Sequence, residues 1–354
     1  MKPMTMRERL LAVVQQRPHD RVPFVQYDGM VPNAELWALV GRGNMGLLRW
    51  VGTSRTEAPN CRFDRVDIQE GGLKGARTTL HTPEGDLVQE KFFTPVFGEG
   101  AAGAPRKQFV TDLKDHRVFQ AYLRDVRVVP DPEGLAKAMR ELGDDGIPHV
   151  AVGRTPWQAL WVEWMQEDDL CYHAADAPEV VEETMALMGR VLREQMKCAA
   201  ATDAPYVDFG DNITAPMIGP ERFRRYCMPF YREMADLLGG RPVYVHMDGD
   251  LKPLWAAIGE SAVRGLDSMS PPPDNDTSVA DALRLWPEMR VGINFPSSVH
   301  LRPAEEIYVA AREILEEGGR SGRLQIQISE NMPPGAWRKS YPAIVKAIED
   351  AGKA

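Results

Sequence analysis

No run of about 18 apolar residues occurs anywhere in the sequence, so no segment reads as a membrane-spanning helix. Cysteine is scarce. The four present, Cys61, Cys171, Cys198 and Cys227, show no C-x-x-C spacing, which excludes a zinc ribbon and gives no basis for a disulfide framework. Positive charge is in the minority, 42 Lys and Arg against 51 Asp and Glu. The resulting net charge of −9 argues against nucleic-acid or anionic-membrane partners, which need a basic face. The N-terminal stretch MKPMTMRERLLAVVQQRPHD carries charge where a secretory signal needs an apolar segment, so a cytoplasmic protein is expected. Self-similar repeats and low-complexity linkers are also lacking, and the chain reads as a single domain over residues 1–354.

A dinucleotide-binding turn is missing too. The one literal glycine match, GRGNMG at Gly41–Gly46, follows the helical stretch NAELWALV, where the pyrophosphate geometry needs a preceding strand. It is therefore expected to be a helix-to-helix loop.

What is present is alternation. Short apolar, β-rich runs (RVPFVQY, HVAVG, PYVDF, RPVYVHM, AVRGLDSMS, MRVGINF, RLQIQIS) are separated by helical patterns such as PERFRRYCMPFYREMADLLGG. Strand–helix alternation over most of the chain predicts a mostly parallel sheet, and with no Rossmann turn a (β/α)8 barrel is favoured over a doubly wound sheet. An N-terminal helical extension and a β-hairpin insertion turning at PEGD, within about residues 76–112, complete the expected architecture.

In such barrels the chemistry sits at the C-terminal ends of the strands. Those ends offer Tyr27 and Asp28, Trp157, Asp208 with Asp211 and Asn212, His246 with Asp248 and Asp250, Asp267, Asn294, and Glu330 with Asn331. Any one of them is an ordinary turn former, but their convergence on one rim points to a site. Trp157, Trp161 and Trp164 form a helical stripe that reads as core, with Trp157 alone expected at the pocket. The remaining histidines (His19, His81, His116, His149, His173 and His300) lack ligand-like spacing and are given no role.

Several segments resemble the uroporphyrinogen decarboxylase superfamily: MRERLLAVVQQRPHDRVPF at the N-terminus, GRTPWQALWVEWMQEDDL in the centre, YVDFGDNITAPMIGPERFRRYCMPFYREM, and VGINFPSSVHLRPAEEI with LQIQISENMPPGAWRKSYPAIVKAI toward the end. The resemblance implies a (β/α)8 barrel. True decarboxylases of this superfamily carry an Arg-Gln-Ala-Gly-Arg clamp after the first strand and an Asn-Leu-Gly-His-Gly motif at the last. Here those places read VQYDGMVPNAE and QISENMP, so porphyrinogen decarboxylation is not expected. The cobalamin-linked methyltransferase branch uses a His-x-Cys pair and a distant cysteine to hold zinc. His246-Met247-Asp248 is similar to the first, and Glu330 falls near the second, with carboxylates replacing both thiolates.

His-x-Asp at a strand end places both side chains on one side of the pleat. One imidazole and two carboxylates form a legitimate zinc set with a fourth position open, and oxygen ligands also admit other divalent metals. His246, Asp248 and Glu330 are therefore the expected metal ligands, and His246, Asp208 and Asp211 the catalytic candidates. Asp208 or Asp211 is expected to orient the imidazole. Tyr27, Asp28, Trp157, Asn212, Asn294 and Asn331 are expected to bind substrate, and Asp250 to be a turn residue.

The implied activity is metal-dependent methyl transfer or demethylation on a small methylated substrate. No corrinoid-binding Asp-x-His-x-x-Gly segment occurs, so the resemblance implies a corrinoid (cobalamin) supplied free or by a separate corrinoid protein. The alternatives are a metal-independent decarboxylase or lyase on a smaller acid, with Asp208 or Asp28 as proton donor, and a non-catalytic corrinoid or tetrapyrrole carrier. A homodimer is left open.

Overall fold

The computed structural model describes residues 3–93, 104–330 and 332–352, which leaves Asn331 outside the described residues. Eight parallel strands close into a barrel: β1 Phe24–Tyr27, β2 Gly46–Val51, β3 Gly146–Val152, β4 Val207–Phe209, β5 Val243–His246, β6 Val263–Met269, β7 Arg290–Asn294 and β8 Leu324–Ile328. Each strand pairs with its sequence neighbours among the eight, and β8 closes onto β1 through Phe24 opposite Ile326. Helices separate the strands, as Ala304–Gly318 does between β7 and β8. The expected (β/α)8 architecture is observed. A barrel sheet is covered on both faces, which is why its strands are continuous apolar runs rather than alternating ones.

Every apolar run singled out in the sequence forms a barrel strand. The barrel strand not anticipated is β2. The loop after helix α2 (Asn33–Val40; α1 is Met6–Val14) leads into this strand and not into another helix, so the expected helix-to-helix loop is corrected. Gly46 opens β2 for a steric reason. A Cβ there would stand 2.1 Å from Met6 Cγ and 2.7 Å from the Asp145 carbonyl oxygen.

The chain divides into two compact units. The first, Met1–Thr53 with Pro132–Val152 and Ala199–Ala354, contains the whole barrel. The second, Ser54–Asp131 with Gly153–Cys198, holds a four-stranded antiparallel sheet of Arg62–Glu70, Leu73–Thr82, Gly85–Phe92 and Ala104–Lys107. The expected hairpin at PEGD is its central turn, with Thr82 opposite Gly85. The sheet starts at Arg62, well before the expected boundary at residue 76, because the charged strand Arg62–Glu70 lacks an apolar signal. Helix Asp115–Asp125 of this unit buries His116, bonded to Thr184 at 2.9 Å and His173 at 3.1 Å.

Side-chain alternation decides what fills the barrel. Helix α1 is started by a capping box, in which Thr5 Oγ1 accepts from the Glu8 amide and the Glu8 carboxylate accepts from the Thr5 amide. Its Met6, Leu10 and Val14 pack on Val25, Leu48, Ile147, Tyr206 and Tyr244, which belong to β1, β2, β3, the residue just before β4, and β5. Two residues further along each of these chains stand Tyr27, Trp50, His149, Asp208 and His246, and the period of two carries them to the same face. The apolar layer seals the bottom, and the layer above it is polar.

Candidate metal centre

His246 ends β5 only 7% exposed. Its Nδ1 lies 2.8 Å from Asp267 Oδ2. Asp267 Oδ1 accepts from Gln327 Nε2 at 2.7 Å, and its Oδ2 also accepts a short hydrogen bond from the Tyr27 hydroxyl. Nδ1–H is thereby anchored to a buried carboxylate, and Nε2 is turned toward two others. These are Glu330 Oε1 at 3.5 Å and Asp248 Oδ2 at 3.8 Å. The ligand atoms of His246, Asp248 and Glu330 all lie within 4.8 Å of one another.

The two half-exposed carboxylates are each positioned by neighbours. Asn212 Nδ2 donates to Asp248 Oδ2 at 3.4 Å, from a backbone with φ 53°. Glu330 Oε1 accepts from Ser268 Oγ at 2.9 Å. Asp267 and Ser268 are consecutive, yet both serve the site, which regular strand alternation forbids. The register of β6 against β7 shifts between Leu266 and Met269, and Ser268 takes φ 65°. This bulge turns the second side chain back toward the mouth; such backbone cost persists where surrounding structure holds it. Gly265, earlier in the same strand, gives its space to the Tyr244 ring, which a Cβ would meet at 2.4 Å.

Burial alone would pull the His246 pKa down. The carboxylates of Asp248, Asp267 and Glu330 overcome it and hold the imidazole well above its ordinary range. For Asp267, burial acts upward, and His149 with the bonds from His246 and Gln327 reverses this, holding the carboxyl well below the usual range. A carboxylate that favours its ionised form in this way orients a ligating histidine and keeps its proton on Nδ1.

The remaining expected residues are placed as follows. Asp267, not Asp208 or Asp211, orients His246, and that expectation is corrected. Asp211 is buried and accepts from the Tyr231 hydroxyl. Asp208 faces His149, with Oδ2 at 3.5 Å from Nε2. Tyr27 reaches the cluster, 3.3 Å from His246 Nδ1, and packs edge-on against Trp50. Asp28 is taken up by Arg49 at 2.6 Å and by Asn33 at 2.9 Å, so its charge is offset and it does not join the cluster. Asn294 is buried, and its Oδ1 accepts from the amides of Ser329 and Glu330; it positions the Glu330 loop rather than presenting itself to a substrate. The Asp250 carbonyl accepts from the Ala215 amide at 2.7 Å, a turn contact. Trp157 is buried in the second unit.

Sequence reasoning missed His149, Trp50 and Gln327, and mentioned Asp267 without a role. The missed signal was the step of two. His149 follows the inward Ile147 and Trp50 the inward Leu48 just as His246 follows Tyr244.

One imidazole nitrogen with its partner nitrogen anchored, facing two carboxylate oxygens, suits a divalent ion with nitrogen and oxygen ligands. Residues 140–350 match the sequence model of the family described as uroporphyrinogen decarboxylase (URO-D). Among solved structures, a methyltransferase from Methanosarcina mazei superposes with a TM-score of 0.56 at 13% sequence identity, covering 98% of this chain and 99% of that one. A B12-independent methionine synthase from Shewanella sp. W3-18-1, in complex with selenomethionine, gives a TM-score of 0.39 at 11% identity over 83% of this chain and 76% of its own. No curated protein sequence matches the chain. At such identities the structural likeness to the methyltransferase is one of fold alone. The sequence match spans more than half of the chain, which therefore belongs to the uroporphyrinogen decarboxylase family.

Proposed function

We propose that this protein is a metal-dependent methyltransferase that moves a methyl group between a small substrate and a corrinoid, free or carried by a separate protein. The observation that carries the reading is the convergence of His246 Nε2 with Asp248 and Glu330 while Nδ1 is held by Asp267. His246, Asp248 and Glu330 would hold the ion, most plainly zinc, and the ion supplies Lewis acidity toward a substrate oxygen or other donor atom. Oxygen ligands make that ion harder than a thiolate set would, which favours an alcohol, phenol or ether oxygen over a thiol. Asp267 keeps the His246 proton on Nδ1 so that Nε2 retains its lone pair. Ser268 and Asn294 hold Glu330 at the mouth. Trp50, 41% exposed beside Tyr27, offers an apolar face on which the body of the substrate can rest.

Porphyrinogen decarboxylation gains no support here. A ligand rich in carboxylates would meet Asp248 and Glu330, and Arg49 is already paired with Asp28 and Glu141.

The test is metal analysis of protein purified without chelators, wild type beside His246→Ala and Glu330→Ala. It is followed by assay of the metal-loaded protein with reduced cobalamin and a panel of methyl ethers, reading methylcobalamin formation. Metal at the mouth that is lost in His246→Ala, together with methyl transfer that is lost with it, supports the reading. Wild-type protein that binds no metal when supplied overturns it.

A further inference from the structure

Behind His246 the polar layer of the barrel holds a second cluster that the methyl-transfer reading does not use. Asp208 is wholly buried, and among the described residues neither carboxylate oxygen has a hydrogen-bond partner. His149 is 1% exposed, and its Nε2 likewise has no hydrogen-bond partner among the described residues. Leaving such groups unmatched is costly, and more so for a charged group than for a neutral one.

The spacing is informative. His149 Nε2 stands 3.5 Å from Asp208 Oδ2 and 3.7 Å from Asp267 Oδ2. These separations are long for a hydrogen bond. The first falls within, and the second just beyond, the roughly 3.3–3.6 Å between two ligand atoms that each bond one tetrahedral ion at about 2.0–2.2 Å. The three ligand atoms lie within 4.8 Å of one another. His149 Nδ1 is 2.8 Å from the Tyr206 hydroxyl. With the proton on Nδ1 and donated to that oxygen, the Nε2 lone pair faces both carboxylates, as in a histidine oriented for ligation.

Charge points the same way. Asp208 and Asp267 bring two carboxylates to the one imidazole of His149, His246 is a further charged neighbour of Asp208, and Gln327 and Tyr27 are neutral. Burial pushes the Asp208 carboxyl upward.

We propose that His149, Asp208 and Asp267 bind a second divalent cation inside the barrel, above the ring layer of Tyr206 and Tyr244 and separate from the ion at the mouth. One nitrogen and two carboxylate oxygens suit zinc, cobalt(II) or manganese(II). Asp267 links the two sites, because the oxygen that faces His149 also accepts from His246 Nδ1. An inner ion would fix that carboxylate and, through it, the His246 ring. Buried ligands also imply slow exchange, so chelator should strip the mouth ion first.

The experiment loads wild type, Asp208→Asn, His149→Gln, His246→Ala and the Asp208→Asn/His246→Ala double variant with zinc or cobalt(II). After desalting, metal is counted by mass spectrometry, with circular dichroism confirming that each variant is folded. Wild type should hold about two equivalents, each single variant about one and the double variant none, since ligand loss removes its own ion. Cobalt(II) spectra of Asp208→Asn and His246→Ala should differ, because each retains a different site. A single equivalent in wild type that survives in Asp208→Asn and His149→Gln and disappears in His246→Ala overturns the inner site and leaves the mouth site standing. The reverse pattern keeps the inner site and removes the mouth ion. No binding at all overturns both, leaving a proton shared between His149 and Asp208 in place of the ion.

Discussion

Replacing Asn294 with leucine separates two roles for that residue, substrate contact and support of the metal ligand Glu330. Its Oδ1 accepts from the Ser329 amide at 3.1 Å, the Glu330 amide at 3.2 Å and Ser329 Oγ at 3.3 Å. Leucine fills nearly the same volume and accepts none of them. Two half-buried amides then lose their acceptor at about 1–3 kcal/mol each, and partial access to water places the expected loss of stability near 2–4 kcal/mol. The Glu330 loop loses its register with the mouth. Disturbing a group that orients a metal ligand typically weakens metal binding about 10–100-fold, or roughly 1.4–2.7 kcal/mol. Asn294→Asp keeps the acceptor and should retain most of the affinity. The assay is competition against a chromophoric chelator without substrate, beside thermal melts of the same samples. Wild-type metal affinity in Asn294→Leu, with a defect confined to substrate KM, would refute the reasoning and return Asn294 to the substrate.

Three other outcomes are expected. Gly265→Ala drives a methyl group into the Tyr244 ring and should cost about 1–3 kcal/mol by overpacking, read as a lowered Tm; an unchanged Tm means the ring has room to move. In the metal-free protein the raised His246 pKa stabilises the fold below its ordinary value of 6.5, and this is lost as pH rises through the folded value. Metal must displace that proton, so affinity should climb about tenfold per pH unit below the folded pKa, and a flat pH profile by titration calorimetry would contradict it. His116 behaves oppositely. Burial, with His173 beside it, pushes its pKa from 6.5 down to about 4, so the fold should lose about 3 kcal/mol as pH falls through that interval, and His116→Gln should lessen the loss in denaturant titrations.

The sequence by itself determined the barrel. Parallel strands buried on both faces must be apolar throughout, so β1 and β3–β8 stood out as runs, and the helices between them carried their own period. It also placed His246 and Asp248 together, because a spacing of two on a strand is a statement about one face. Tertiary structure decided what meets across the barrel. Glu330 joins His246 through β8, Asp267 through a bulge in β6, and His149 through β3, separations of 84, 21 and 97 residues that no local pattern encodes. The sequence offered Asp208, Asp211 and Asp267 as equivalent strand-end carboxylates. Only the register of β5 against β6, with His246 opposite Asp267, chose which of them holds the imidazole. β2 stayed hidden for a related reason. Its outward Arg49 and mouth-facing Trp50 break the apolar run, and both are explained by partners, Asp28 and the Tyr27–His149 ring cluster, brought from other strands.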